Sequence, residues 1–175
     1  MTGESAVAQF DAMAARVAAQ PGKYLTFQLG SEVYGLEILK VQEIIGVMNV
    51  TRVPRMPEFV RGVINLRGRV IPVVDLRLKF GMADKEYNKR TCIIVVQVSC
   101  ASKQVTMGVI VDEVSEVLDV RAEQLEGPPS FGASVDTEFL LGMAKVGDKV
   151  VILLDVDKVL ATAEVALLQQ AAQRA

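Results

Sequence analysis

The chain has 175 residues, of which 51% are apolar and 5% aromatic, and its 19 basic and 21 acidic side chains give a net charge of −2. This composition is typical of one folded domain, or of two small fused halves, and is too apolar for a disordered chain. The sequence contains no histidine, which excludes a Ser-His-Asp triad, a histidine metal site and imidazole acid–base catalysis.

The two ends of the chain predict helices. From Ser5 to Gln20 apolar side chains recur at helical spacing, until Pro21 and Gly22 stop the pattern. No basic segment precedes a long apolar block there, so we expect no signal peptide, no membrane insertion and a cytoplasmic protein. At the other end, residues 161–175 predict a short helix capped by Thr162.

The chain between these helices has the two-residue periodicity of β-strands. KYLTFQL alternates in this way, and TCIIVVQV, KQVTMGVIV and KVVILLDV are β-branched runs of strand length between turn residues. Many short strands joined by turns are typical of small barrels or a sandwich. No GxxxxGK[ST] or GxGxxG motif occurs, so a nucleotide-binding unit is not expected. Cys92 and Cys100 share one strand, too far apart to bridge, and are predicted to be reduced.

A weak internal repeat links the two halves of the chain. Residues 34–47 align with 107–120 at an offset of 73, and residues 62–76 align with 142–156 at an offset of 80. Chance similarity among valine-rich strands is the alternative, but two collinear matches in the same order argue against it. The repeat predicts two similar β-barrel halves that pack on a shared apolar face.

Charge is segregated along the sequence. The stretch from Arg52 to Lys79 carries seven basic side chains against Glu58 and Asp75, whereas residues 112–126 carry six acidic ones against a single arginine. Such segregation can steer a charged partner or pair the two halves with each other. The alternative is that these side chains are the outward positions of half-buried strands.

The most informative stretch runs from Arg52 to Gly81. Pro54 and Pro57 stiffen an extended approach to the next strand. LRGRV then predicts a tight hairpin turn that displays Arg67, and Asp75 is placed to cap a single helical turn. Because nothing here assembles a nucleophile, a base and an oxyanion hole, the stretch predicts a presentation surface and no catalytic residue.

The motifs YGLEILKVQEIIG, RVP, GVINLRGRVIPVVDLRLKFG and GVIVDEVSEVL, in this order, closely resemble the CheW family of chemotaxis coupling proteins. The resemblance implies an all-β fold with short helices, in which two five-stranded SH3-like barrels share a core between N- and C-terminal helices. It divides the chain into an N-terminal arm (1–22), a CheW-like domain (23–160) with barrel halves at about 23–82 and 90–160, and a C-terminal helix (161–175).

The same resemblance implies a non-enzymatic adaptor without metal or cofactor. Family members join the cytoplasmic tip of methyl-accepting chemoreceptors to the CheW-like regulatory domain of the histidine kinase CheA. They thereby build signalling arrays at the inner face of the membrane, where self-association in rings is also possible. The resemblance further implies a receptor-binding groove between the barrels, and the matching positions are Val41, Glu43, Gly62, Arg67, Val114 and Gly142.

Four of these positions are related by the repeat. Val41 and Val114 hold equivalent places in the two halves, so they can offer an apolar floor to a helical partner. Gly62 and Gly142 are also equivalent, and both leave room for close packing.

Glu43 and Arg67 are the candidate charged pair of the groove, because arginine offers a planar fork of donors that lysine would not reproduce. The alternative for this pair is a surface ion pair of little energetic value. A competing function for the whole chain is a nucleic-acid-binding small barrel, which the arginines from Arg52 to Arg77 suggest. A sequence pI near 5.3 and the scarcity of aromatic residues argue against it.

Overall fold

The computed structural model describes residues 19–100, 103–127 and 139–160, without the side chain of Cys100. The predicted N-terminal helix lies outside these residues, apart from positions 19 and 20, which are not helical, and the predicted C-terminal helix lies wholly outside them. Within the three described ranges, every helix falls short of the length and apolarity that a bilayer crossing requires.

Each half of the chain supplies a similar series of strands. The first half contains β1 (Gly22–Leu29), β2 (Glu32–Glu37), β3 (Val41–Gly46), β4 (Val60–Leu66), β5 (Arg69–Asp75) and the one-turn helix α1 (Leu76–Lys79). The second half contains β6 (Cys92–Cys100), β7 (Lys103–Val111), β8 (Glu113–Val120), β9 (Leu125–Glu126), β10 (Leu140–Val146), β11 (Lys149–Leu154) and helix α2 (Val156–Leu160). Turns of 3-10 helix follow β2 at Ile38–Lys40 and precede β9 at Ala122–Gln124.

These strands carry the internal repeat into three dimensions. Strand β10 occupies the positions of β4 shifted by 80 residues, and β11 follows β5 in the same way. Strands β7 and β8 correspond to β2 and β3 at the offset of 73. Each β4–β5 or β10–β11 hairpin is followed by a short helix, so the two halves are built alike.

The strands form two sheets that are equivalent under this repeat. One sheet has the order β8-β1-β2-β11-β10-β9, and the other has the order β3-β6-β7-β5-β4. The predicted all-β fold with short helices is confirmed, and its strands lie in two sheets. The first sheet carries β9, a two-residue strand, in addition to the five expected.

The sheets do not coincide with the two sequence halves, and this corrects the expectation that 23–82 and 90–160 each build their own barrel. Strands β1 and β2 lie in the sheet of β8, β10 and β11, whereas β6 and β7 lie in the sheet of β3, β4 and β5. The exchange is made by four pairings between the halves: β2 with β11 and β5 with β7 are parallel, and β1 with β8 and β3 with β6 are antiparallel. Equivalent halves offer equivalent edges, so the repeat alone cannot reveal which copy supplies the neighbouring strand.

Buried side chains form three apolar clusters. One lies within the β3-β6-β7-β5-β4 sheet and contains Ile64, Ile71 and Ile93. A second lies within the other sheet, around Tyr24 and Leu153. The third and largest takes side chains from both sheets and both helices, which is the shared core that the sequence predicts. Burial of this common core stabilises both halves together.

Two ion pairs hold the short helices against the opposite half. Arg77 of α1 pairs with Asp112, whose carboxylate also accepts a hydrogen bond from the backbone of Gly30 at 2.8 Å. On the other side, Asp157 of α2 pairs with Lys40 at 2.9 Å and accepts a hydrogen bond from a backbone amide at the end of β6. Arg77 and Asp157 hold equivalent positions in the repeat, but the helix supplies the cation in the first pair and the anion in the second. Each pair joins a helix to the half of the chain that does not contain it.

Asp75 is a buried carboxylate at the end of β5. It is 2% exposed and caps helix α1 by accepting a hydrogen bond from the backbone of Arg77 at 3.0 Å, as the sequence predicts. Its other oxygen accepts hydrogen bonds from Arg61 Nε at 3.3 Å and from the Tyr87 hydroxyl at 3.0 Å. The carboxylate therefore joins β4, α1 and the segment that leads to β6.

We predict that Tyr87 makes the protein less stable at alkaline pH. Burial, and then the neighbouring Asp75 carboxylate, raise the pKa of Tyr87 to about 12. An unfolded tyrosine loses its proton near pH ~10, so the free energy of unfolding should fall as the pH rises from about 10 to about 12. Urea denaturation at several pH values should show a shallower decline for Tyr87→Phe.

Burial also raises the pKa values of Tyr24 and Tyr34, but the parent protein and the Tyr87→Phe variant both contain these two tyrosines. The difference between the two curves therefore isolates Tyr87. Parallel curves for the parent chain and Tyr87→Phe would contradict the assignment.

Candidate partner-binding site

Arg67 stands at a backbone position that normally favours glycine. It occupies the two-residue turn between β4 and β5, where its φ is 53° and that of Gly68 is 87°. Asn65 closes this turn, because its side-chain oxygen accepts a hydrogen bond from the backbone of Gly68 at 2.8 Å. A left-handed conformation costs a residue with a side chain about 1 kcal/mol.

The second half of the chain provides an internal comparison. The equivalent turn between β10 and β11 begins with Gly147, whose φ is 61°. The same backbone conformation is thus adopted by glycine in one hairpin and by Arg67 in the other. The first hairpin therefore carries a residue that this left-handed conformation disfavours.

The side chain of Arg67 forms a bidentate ion pair with Glu43, and we call this Arg67–Glu43 pair the fork. Nη1 donates to Oε1 at 2.9 Å, and Nη2 donates to Oε2 at 2.7 Å. These hydrogen bonds, more than the charge itself, lower the pKa of the Glu43 carboxyl. The side chain of Arg67 is 71% exposed and that of Glu43 is 30% exposed, so the fork is open to a partner.

The fork also joins two strands that are far apart in the sheet. Glu43 lies on β3 and Arg67 at the tip of the β4–β5 hairpin, and β3 and β4 are the opposite edges of the five-stranded sheet. Their contact shows that the sheet curls until its edges approach. The pair therefore occupies a defined place where two edges meet.

Val41 is the first residue of β3 and Val114 the second residue of β8, and the two positions are equivalent in the repeat. Both are partly buried and pack against the core shared by the two sheets. Their neighbours on the same strands, Ile44 and Val117, are 43% and 48% exposed, and these two are also repeat-equivalent. Sequence reasoning missed both, although the offset of 73 that pairs Val41 with Val114 also pairs them.

The two glycines of the predicted groove have backbone tasks. Gly62 has a φ of 136°, and a Cβ placed there would lie 2.0 Å from the backbone oxygen of Thr51. Thr51 forms an isolated antiparallel bridge with Val63, so the preceding segment pairs with β4 at this point. The strand pairing shifts its register next to Gly62, and it does so again next to Gly142. Both glycines therefore mark irregularities in equivalent hairpins.

Among the six predicted site residues, the structure brings Glu43 and Arg67 into contact and places Val41 two residues from Glu43 on β3. Gly62 lies five residues from Arg67 along β4, which corresponds to roughly 17 Å. Val114 and Gly142 belong to the other sheet. The structure therefore joins Glu43 and Arg67 directly, while Val41 and Val114 lie on equivalent strands of different sheets.

Three of the seven basic side chains between Arg52 and Lys79 are neutralised by acidic groups of the molecule. Arg61 pairs with Asp75 and Asp84, and Arg77 pairs with Asp112. Together with the fork at Arg67, these contacts use acidic groups from several strands. A continuous cationic surface, which nucleic-acid binding would need, is not formed by these arginines.

Comparison with known proteins agrees with this architecture. The protein-family model described as the CheW-like domain matches residues 23–164 of this chain. The chain is 42% identical to the chemotaxis protein CheW of Klebsiella aerogenes over 151 residues, which cover 86% of this chain and 89% of that protein. It is 32% identical to the chemotaxis protein CheW of Treponema pallidum, over 80% of this chain and 82% of that one.

A solved structure extends the comparison to the fold. The scaffolding protein TtCheW from Thermoanaerobacter tengcongensis superposes with a TM-score of 0.72 and 36% sequence identity. The match covers 83% of this chain and 96% of that one.

We predict that Gly62→Ala destabilises the protein by about 3 kcal/mol, because the new methyl group meets the Thr51 backbone and the φ is unfavourable. Gly46→Ala is the matched control, since a Cβ at this strand position has no heavy atom within 4 Å. Urea denaturation of both variants measures the difference. Equal stability of the two variants would show that Gly62 is free to carry a side chain.

Proposed function

Because the chain belongs to the CheW family, we propose that it is a non-enzymatic adaptor that couples methyl-accepting chemoreceptors to the histidine kinase CheA. It performs no chemistry of its own and helps to build signalling arrays. The names of its relatives, chemotaxis protein and scaffolding protein, support this role. The alternative of a nucleic-acid-binding barrel has no comparable support.

The observation that carries the proposal is the exposed fork between Arg67 and Glu43, held on a turn where the second half of the chain has glycine. A stability role alone does not explain it, because exposed ion pairs contribute little and the turn itself is unfavourable. The presence of arginine at this unfavourable position is explained if a partner binds its guanidinium group.

The receptor-binding surface that we propose combines this fork with the apolar positions on β3 and β8. A helical hairpin tip would lay its apolar face against Val41 and Val114, with Ile44 and Val117 extending the same surface. The fork would orient the helix through charge-assisted hydrogen bonds. Gly62 and Gly142 would contribute by shaping the hairpins that carry the surface.

The proposed mechanism is geometric. An adaptor that holds the cytoplasmic receptor tip and the regulatory domain of CheA raises the effective concentration of one for the other. A small movement of the receptor then shifts the conformational equilibrium of the kinase. In an array at the inner face of the membrane, such an adaptor would also contact copies of itself in rings. Many weak contacts are enough to hold such an array together, because once one contact has formed, the next forms between components that are already linked.

Reconstitution tests the function directly. Membranes that contain a chemoreceptor are mixed with CheA, with or without the full-length adaptor, and kinase autophosphorylation is measured. We expect strong stimulation that requires the adaptor and is lost when attractant is added. A folded adaptor that stimulates no receptor and kinase pair drawn from its own organism would refute the coupling function.

Substitutions at the fork should separate coupling from folding. We predict that Arg67→His and Glu43→Lys reduce kinase stimulation about tenfold, since each removes charge-assisted hydrogen bonds. Thermal unfolding should remain within about 3 °C of the parent, because both side chains are exposed. Arg90→His is the matched control, since the Arg90 side chain is 75% exposed and pairs only distantly with Glu113.

Arg67→Gly gives the sharpest separation. Glycine adopts the left-handed turn without penalty, so we predict a melting temperature raised by about 2 °C together with loss of kinase stimulation. A variant that melts early, or one that stimulates the kinase as well as the parent, would show that Arg67 serves the fold alone.

A further inference from the structure

A cleft of unassigned purpose lies beside the start of β4, away from the fork. It consists of two adjoining cavities of about 370 and 440 Å³, which share Arg52, Arg61 and Asp84 as lining residues. The first, which we call the tyrosine cavity, is also lined by Val50 and Tyr87. The second, the proline cavity, is also lined by Pro54, Arg55, Met56 and Pro57.

Arg61 forms the fixed boundary between these cavities. Its side chain is 18% exposed and is held by the buried carboxylate of Asp75 and by Asp84. Its guanidinium group also lies over the ring of Tyr87, 5.6 Å from the ring centre. Because two carboxylates already share this cation, Arg61 shapes the cleft but has little charge left for a ligand.

Arg52 and Arg55 have the opposite character. Both are exposed, and within the part of the chain that the structure describes neither has an acidic partner. The proline cavity is therefore lined by two unpaired guanidinium groups, those of Arg52 and Arg55. Among its described carboxylates only that of Glu58 is unpaired, because Asp84 forms an ion pair with Arg61. This wall of the cleft is complementary to a single negative group.

The backbone of Arg55 adds a second observation. Its φ is 62°, which makes it, with Arg67, one of two residues with a side chain in the left-handed region among those described. Pro54 and Pro57 restrict the segment on both sides of it. Strain of this kind persists when the surrounding structure enforces it, and it is concentrated at binding sites.

We propose that this cleft binds an extended peptide segment that carries an aspartate or glutamate next to a large apolar residue. The carboxylate would be held by Arg52 and Arg55, and the apolar side chain would enter the tyrosine cavity against Val50 and Tyr87. Successive side chains of an extended chain point to opposite sides, so neighbouring residues can reach the two cavities.

The chemistry of the cleft disfavours ligands that carry several charges. The edges of the cleft carry Glu58, Asp84 and Glu86 beside Lys85, and these three carboxylates would repel a polyanion such as nucleic acid or polyphosphate. A peptide with one carboxylate avoids most of this repulsion and gains from the apolar lining. The site is separate from the fork, because Arg61 and Arg67 are six residues apart on β4, roughly 20 Å. It therefore does not depend on the proposed receptor site.

Amide-resolved NMR titration of the full-length protein tests the proposal. The probe is the capped pentapeptide Ac-Gly-Leu-Asp-Leu-Gly-NH2, and its matched control replaces aspartate by asparagine, which removes the charge and keeps the shape. We expect saturable shift changes confined to residues 50–58 and 84–87, with affinity for the asparagine peptide weaker by about tenfold. Equal binding of both peptides, or no shifts in these residues, would overturn the proposal.

Variants separate the cleft from general charge effects. Arg52→Gln combined with Arg55→Gln should weaken binding of the aspartate peptide about tenfold, whereas Lys103→Gln combined with Lys149→Gln removes the same charge elsewhere and should leave binding unchanged. Arg55→Gly should raise the melting temperature by about 2 °C while weakening binding, which excludes unfolding as the cause. Inorganic phosphate alone is the last probe, and shifts as large as those of the peptide would identify a free-anion site and refute a peptide site.

Discussion

The parallel pairings between the two halves of the chain are the constraint on which the rest of the structure depends. Strand β2 pairs with β11, and β5 pairs with β7, so each sheet is completed by strands from the other half. A glycine lies at each joint, Gly35 opposite Leu153 and Gly108 opposite Val73. A Cβ would lie 3.0 Å from Leu153 at the first and 2.8 Å from Ile93 at the second. Removing either half would leave both sheets incomplete and expose the shared core.

This interdependence fixes the geometry of the candidate site. Glu43 and Arg67 both belong to the first half, yet they meet because β6 and β7 from the second half hold the opposite edges β3 and β4 in one curled sheet. The apolar positions on β3 and β8 are related by the same pseudo-symmetry. Two sheets that complete each other can present a partner with a surface of defined shape, which suits the scaffolding role proposed for the chain.

Much of this could be predicted from the sequence where the signal is local. The turn at Arg67, the capping of α1 by Asp75 and the equivalence of the hairpins follow from short patterns, and the structure confirms them. The exchange of strands could not be predicted, because two halves of similar strand pattern do not specify which copy provides a partner. The close approach of the Thr51 backbone to Gly62 depends on contacts between separate segments, as does the exposure of Ile44 and Val117.

In the proposed function, the fork and the apolar positions of β3 and β8 form one receptor-binding surface. The most direct measurement is an NMR titration of the full-length protein with a hairpin-tip fragment of a chemoreceptor from the same organism, read at each backbone amide. We expect shift changes centred on residues 41–46, 65–69 and 114–117, with the remainder of both sheets unaffected. Saturable binding whose shifts fall elsewhere, and leave the fork unperturbed, would contradict it.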